Sequence, residues 1–205
     1  MRGAIVALAV MMGAAMAQAQ TYKGSETPAY SVDLSDGAIE VRAYASHIMA
    51  EVTVSGDRSG AINRGFRLLA GYIFGGNETK AKVAMTSPVV QTPSEQIAMT
   101  SPVVQSGQGD EWVVQFMMPQ SYTMATLPVP KDDRVRFVTT KPERQAVIRF
   151  SGLAGEAALK AQEQALRDWA AAKGMKLTAG PRYYFYDSPM TLPWNRRNEV
   201  AFSVQ

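Results

Sequence analysis

The chain has 205 residues, a formal charge of +3, one histidine and no cysteine. These counts exclude a disulfide-stapled fold and an anchor on a lipidated cysteine. One histidine is too few for most structural metal centres and leaves His47 as the sole imidazole for acid–base work. Lys and Arg are dispersed rather than blocked, which argues against a nucleic-acid partner.

The amino terminus reads as an address. Arg2 gives a weak positive start, Gly3 to Ala17 is almost wholly apolar, and Ala17-Gln18-Ala19 has the small-x-small pattern of a cleavage site. The apolar run falls short of the roughly twenty residues that span a bilayer. Residues 1–19 are therefore expected to be a signal peptide removed on export to the periplasm or medium. No later stretch is long and apolar enough to span. Residues 20–29 form a polar lead-in, and residues 30–205 suit one domain with an ordinary apolar core.

Along that domain, Tyr30 to Leu34, Ile39 to Tyr44 and Ile48 to Val54 are predicted strands, the first two joined by the turn signal Ser35-Asp36-Gly37. Ser55-Gly56-Asp57-Arg58-Ser59 supplies candidate caps for a helix from Gly60 to Phe74, which Gly75-Gly76-Asn77 ends. Next, the octapeptide Ala-Met-Thr-Ser-Pro-Val-Val-Gln occurs twice, at 84–91 and 98–105. A proline in each copy removes a ladder donor, so both are expected at an edge or in a loop. Trp112 to Met118 is another strand. Tyr122 to Asp133, with Leu127-Pro128-Val129-Pro130 inside it, reads as a link.

The second half repeats this plan. Val135 to Thr139 and Gln145 to Phe150 are predicted strands, Glu156 to Lys173 a helix ended by Gly174, and Glu199 to Val204 the closing strand. Val54-Ser55-Gly56 before the first helix has its echo in Phe150-Ser151-Gly152 before the second, and a Ser-Pro pair with strands after it follows each helix. The expected fold is α+β: two pseudo-symmetric ββαββ halves that pool their strands into one distorted antiparallel barrel or curved sheet carrying two helices.

The helices differ in character. The second has a charged back (Glu156, Lys160, Glu163, Arg167, Lys173) and a core face of Ala158, Ala161, Ala165 and Trp169 flanked by Leu166. The first carries only Arg64 and Arg67 as charges and two adjoining apolar stripes: Ile62, Phe66, Leu69, Ile73 and Ala61, Gly65, Leu68, Tyr72. One stripe suffices to seat the helix on a sheet. The other either lines a groove for an apolar ligand or is buried as well.

Other motifs carry less chemistry. His47 reads as a turn residue or, less often, a ligand. Gly75-Gly76 follows a helix, whereas phosphate cradles precede one. Asp132-Asp133 is turn chemistry. Methionines fill irregular cores and pockets and also coordinate haem iron, and Met85 and Met99 hold the same place in the two octapeptides.

Taken together, Ile39-Glu40-Val41-Arg42-Ala43-Tyr44, the helix ending in Gly75-Gly76-Asn77, the duplicated Met-Thr-Ser-Pro-Val, the Leu-Pro-x-Pro link, Tyr186-Asp187-Ser188-Pro189 and Arg196-Arg197-Asn198-Glu199-Val200 resemble the SOUL haem-binding family from Tyr30 to Val204. The resemblance implies a fold similar to the effector-binding domains of multidrug regulators and an apolar surface on the first helix that holds haem or another tetrapyrrole. Here that surface would be Ile62, Phe66, Leu69 and Ile73, with Met85 beside it and Arg67, Lys80 or Lys82 toward the propionates. Some family members place an axial histidine where this chain has Ala43; His47, four residues later, is the available substitute. The expectation is thus an exported, non-catalytic tetrapyrrole binder with no resident metal site and no nucleic-acid partner, held by apolar burial at ~25 cal/mol per Å². The alternatives are a module for another amphipathic molecule, such as a lipid or organic cation, and a hydrolase or haem-modifying enzyme using the same cleft.

Overall fold

The computed structural model describes residues 20–79 and 94–205. The proposed leader, Met85 and the whole first octapeptide lie outside the described residues. In chain order the elements are β1 (Gln20–Tyr22), β2 (Ser25–Thr27), β3 (Tyr30–Asp36), β4 (Ile39–Tyr44), β5 (Ile48–Ser55), α1 (Arg58–Ile73), β6 (Asn77–Glu78), β7 (Val103–Gln108) and β8 (Glu111–Met117). There follow β9 (Val129–Pro130), β10 (Arg136–Thr139), β11 (Glu143–Phe150), α2 (Glu156–Ala172), β12 (Leu177–Phe185), a short 3₁₀ turn (Pro193–Asn195) and β13 (Asn198–Val204).

Nine strands form one antiparallel sheet in the order β10-β5-β8-β7-β12-β13-β11-β4-β3. Set aside β3, and the order is palindromic about the β7·β12 pair: β5, β7 and β8 correspond to β11, β12 and β13, and β4 corresponds to β10. The halves are therefore β4-β5-α1-β7-β8 and β10-β11-α2-β12-β13, each ββαββ. Each half lends its first strand to the other, since β4 pairs with β11 and β10 with β5. This exchange makes one inseparable core from two repeats. The sheet is open rather than a closed barrel, so that part of the expectation is corrected.

Local chemistry sets the boundaries. Gly37 takes φ +63° in the β3–β4 turn, where an L side chain is disfavoured. Asp57 caps α1 in extended conformation, its carboxylate accepting from the Gly60 N–H at 2.8 Å. After α1, Gly75 at φ +107° turns the chain away.

Both helices pack on the same face. Leu69, Tyr72 and Ile73 of α1 meet Ala50, Val52, Val114 and Phe116, while Leu159 and Leu166 of α2 meet Val41, Ile148, Val200 and Phe202. A Cβ on Gly65 would lie 2.5 Å from Val114 Cγ2, so its absence sets how closely α1 approaches β8. The core face of α2 is Leu159, Leu166 and Ala170; Ala161 and Ala165 are exposed, one-third of a turn from where the alanine spacing put it. Leucines outweigh alanines because they remove more apolar surface from water.

Three other expectations change. Val103–Gln105 of the second octapeptide begins β7, a central strand; Pro102 stands just before the first paired residue and costs the ladder no donor. The Leu127–Pro130 link is packed rather than free: Leu127 is buried and β9 pairs with β6. The lead-in contains the β1–β2 hairpin, tied to the domain through Ser101 N–H to Glu26 O and Tyr22 Oη to Asp187. No helix among the described residues is long and apolar enough to cross a membrane.

Candidate functional site

On α1 the residues singled out from sequence part company. Leu69 and Ile73 are 0% and 1% exposed and sit inside the core rather than on the helix surface. Helical geometry explains this: the buried arc is Ala61, Gly65, Leu69, Tyr72 and Ile73, running diagonally across both stripes. Ile62 and Phe66 are half-buried, with the Phe66 ring edge-on to Phe116 at 5.4 Å, and Arg67 is exposed. Phe74, 60% exposed just past the helix, extends this flank.

The opposite, helix-free face of the sheet is where concavity lies. Strand alternation puts Glu40, Arg42 and Tyr44 of β4 on this side, opposite the core residues Ile39 and Val41. The same rule brings Gln145 and Arg149 of β11, Arg182 and Tyr184 of β12, and Glu199 of β13 to that face. Between and beside these side chains are two hollows.

The central cleft, about 280 Å³, is lined by His47, Met49, Glu51, Met117, Glu143 and Arg182 together with Tyr44, Tyr184 and Tyr186. His47 enters it from the β4–β5 turn. Its Nδ1 lies 2.9 Å from the Ala45 carbonyl and 3.2 Å from Thr140 Oγ1. Donation from Nδ1 to that carbonyl leaves the Nε2 lone pair free to accept. Burial outweighs the carbonyl bond and lowers the His47 pKa below its ordinary value, favouring the neutral ring. Met49 and Met117 are buried thioethers at the floor. Burial pushes the phenols of Tyr44, Tyr184 and Tyr186 up, so they stay neutral donors. Glu143 accepts from Arg182 Nη1 at 2.7 Å and Ser203 Oγ at 2.9 Å; burial would raise its pKa, but the guanidinium and these bonds hold it lower. Glu51 accepts from Gln115 Nε2 at 2.8 Å.

A polar partition separates this cleft from the second hollow. Glu199 receives Arg42, Arg197 and the Tyr186 hydroxyl, while Arg42 Nη1 also donates to Tyr44 Oη at 3.1 Å. Tyr44 and Tyr186 face the cleft; Arg42 and Arg197 line the other side. Among the described residues no buried side-chain N or O lacks a partner. Nor does any group of three or more His, Cys, Asp or Glu assemble there to hold a metal ion.

Of the predicted ligand residues that are described, only His47 lines either of these two hollows. The tyrosines, Glu51, Glu143 and Arg182 were missed. Their signal was present as polar residues at every second position of otherwise apolar strands, which marks a face that no helix covers.

The profile of the SOUL heme-binding protein family matches residues 25–203. No curated protein matches the chain. Among solved structures, the C-terminal domain of EcmrR is similar at TM-score 0.60 and 12% identity, covering 86% of this chain and 98% of that one. A structure described as a hydrolase from Listeria innocua is similar at TM-score 0.52 and 12% identity, covering 84% and 94%. An uncharacterized conserved protein from Listeria innocua gives 0.53 and 13%, covering 82% and 92%. At such identities the likeness is one of fold.

Proposed function

Because the chain belongs to the SOUL heme-binding protein family, we propose that it binds haem or a related tetrapyrrole without catalysing a reaction on it, and that the ligand seats at the central cleft of the helix-free face. The observation that carries this seat is His47, the sole histidine, in a cleft with two buried thioethers and three tyrosines. The donor set fits an iron porphyrin: a neutral imidazole is a good iron ligand, and methionine is another. The cleft volume lies near the lower end of the ~300–1,000 Å³ typical of small-molecule sites. A macrocycle would therefore rest across the mouth and press one edge inward, with apolar burial supplying most of its affinity. Arg182 is the cation placed to meet a propionate, in exchange for part of its pairing with Glu143.

Titration of the full chain with haemin tests this reading. Saturable growth of a shifted Soret band is expected, with His47→Ala altering its position and weakening binding. Ile62→Asp and Arg67→Glu on α1 are expected to leave it unchanged. An unshifted band overturns haem binding, and a band lost only in the α1 variants moves the seat to that helix.

A second reading has its own observation: two carboxylates, Glu51 and Glu143, among three tyrosine rings suit an amphipathic organic cation. Binding of a quaternary ammonium dye that is abolished by Glu51→Gln, with no Soret response to haemin, would select it. A hydrolase has less support at this site, since Thr140 Oγ1, the hydroxyl bonded to His47, sits at Nδ1 and the backbone rather than at the free Nε2, where a nucleophile would have to be activated. We further propose that residues 1–19 are a leader and that the binder works outside the cytoplasm. Amino-terminal sequencing of the exported protein should begin at Gln20; an intact Met1 refutes it.

A further inference from the structure

The larger hollow beyond the partition, about 680 Å³, is unused by the proposed function. Its wall combines four guanidinium groups, Arg42, Arg149, Arg196 and Arg197, with the rings of Tyr22, Phe150 and Trp194.

The charges are unevenly matched. Arg42 is neutralised by Glu40 at 2.7 Å and Glu199 at 2.8 Å, and Arg197 by Glu199 at 2.6 Å. Arg196 donates only to backbone, from Nε to Thr191 O and from Nη2 to Pro189 O. The exposed Arg149 side chain has no hydrogen bond or ion pair among the described residues. Nearby, Lys23 and Asp187 satisfy each other. Arg149 and Arg196 thus carry no carboxylate partner, and Glu40, the carboxylate in the lining, is held by Arg42.

Of the three rings, Tyr22 is edge-on to Tyr186 and bonded through its hydroxyl to Asp187, and Phe150 packs against the core under α2, which leaves Trp194 as the open one. Trp194 is 69% exposed, an unusual place for the largest apolar side chain, and its indole N–H has no partner among the described residues. It stands on the 3₁₀ turn, which two links fasten to the sheet: Gly152 N–H to Pro193 O at 2.9 Å and the Asn198 amide to Gly152 O at 3.0 Å.

From this pairing of unneutralised guanidinium groups with an open indole, we infer that the hollow is a separate binding site for a planar aromatic carboxylate. The carboxylate is met by Arg149 and Arg196, and the ring lies on Trp194. Guanidinium forks match carboxylates in geometry and charge, and they bond them more strongly than neutral donors do. The volume sits inside the range of small-molecule sites. The inference goes beyond the proposed function, since it concerns a different cavity, needs no iron and makes no use of His47.

Titration of the full chain with 1-pyrenecarboxylate, read by quenching of tryptophan fluorescence and by calorimetry, is the test. Saturable one-to-one binding is expected, with uncharged 1-pyrenemethanol at least tenfold weaker. Arg149→Glu and Trp194→Ala replace exposed side chains, so the fold should persist; each is expected to weaken binding roughly tenfold or more. Trp194→Ala should also remove most of the quenching. His47→Ala, in the other cleft, and Arg136→Glu, a charge reversal on another strand, should change nothing. Equal binding of the carboxylate and the alcohol, or binding indifferent to Arg149→Glu in a protein whose circular dichroism is unaltered, overturns the assignment. Failure of haemin to bind would leave this result standing, so the two readings fail separately.

Discussion

Arg42 and Glu199 join across an intervening strand: β4 and β13 are separated by β11, yet Nη1 and Nη2 of Arg42 reach Glu199 Oε2 and Oε1 at 2.8 and 3.0 Å. Both side chains are almost wholly removed from water. The Arg42 guanidinium also lies 4.6 Å from the Tyr30 ring centre, and Arg197 completes the carboxylate's shell. A buried pair of this kind contributes little relative to apolar residues but is costly to break from one side. Here it also holds the wall between the two hollows.

Replacing Glu199 by Gln is therefore expected to destabilise the fold by roughly 3–5 kcal/mol, because two guanidinium groups lose their counter-charge while the shape stays. Urea denaturation at neutral pH measures it. Burial alone would raise the Glu199 pKa, but Arg42 and Arg197 hold it below the ordinary value. The folded value is depressed, so the stabilisation is present above the unfolded carboxylate pKa of ~4.3 and is lost as pH falls through the folded value. Glu199→Gln should flatten this acid limb. A variant as stable as the parent would show that the pair contributes nothing.

Gly65 and Gly71 share one helix but differ in what a methyl group would meet. At Gly65 it would strike Val114 Cγ2 and Cβ at 2.5 and 2.6 Å; at Gly71 nothing lies within 4 Å. Overpacking a tight contact costs about 1–3 kcal/mol, more than the ~1 kcal/mol that alanine gains over glycine in a helix. Gly65→Ala should lower the melting temperature and Gly71→Ala should raise it. Shifts of the same sign would refute the role given to the contact.

How far the fold was legible follows from which interactions are local. The β3–β4 hairpin, the Asp57 cap and the α1 boundary rest on neighbours in sequence, and their signals stand in the sequence. The exchange of β4 and β10 between halves leaves no local trace, because it is decided by pairings such as Val41 with Ala146 and Ala50 with Phe137. β7 was hidden by Pro102, whose missing donor matters only inside a ladder. At α1 the sheet takes Leu69 and Ile73, which the sequence could not settle because an apolar arc wider than one stripe leaves open which residues are buried. Polar alternation in β4, β11 and β12 stands in the sequence, but the cleft it forms does not, because Arg42 meets Gln145 and Tyr184 bonds Gln145 only through pairings distant in the chain. His47 was singled out because it is unique; its surroundings came from strands far away in the chain.

His47 should make stability depend on pH near neutrality. Its folded pKa is lowered by burial, so the unfolded chain takes up a proton first. Stability is full above the unfolded value of ~6.5 and declines as pH falls from there toward the lower folded value. Denaturant midpoints measured from pH 8 to 5 should show this decline, and His47→Ala should remove it while sparing the Glu199 limb. An imidazole resonance titrating at or above the ordinary value would contradict the lowered pKa.

Asn77 carries the last prediction. Wholly buried after α1, its side-chain amide donates to Tyr72 O and Glu95 O, both at 2.8 Å, and its Oδ1 accepts from the Glu95 N–H at 2.9 Å. One side chain thus closes the end of α1 and ties down the segment leading to Ile97, itself bonded to the Ile73 carbonyl. Net hydrogen bonds contribute about 1 kcal/mol each, and abandoned buried partners cost about 1–3 kcal/mol. Asn77→Ala is expected to destabilise by roughly 2–4 kcal/mol and to speed hydrogen exchange at the Glu95 amide. Asn77→Asp keeps the size and the acceptor but removes the donors and turns a negative charge toward two carbonyl oxygens. It should therefore be no better than alanine at neutral pH and should partly recover in acid, where the protonated carboxyl can donate. An aspartate variant matching the parent at pH 7 would mean that packing, rather than these bonds, holds the junction.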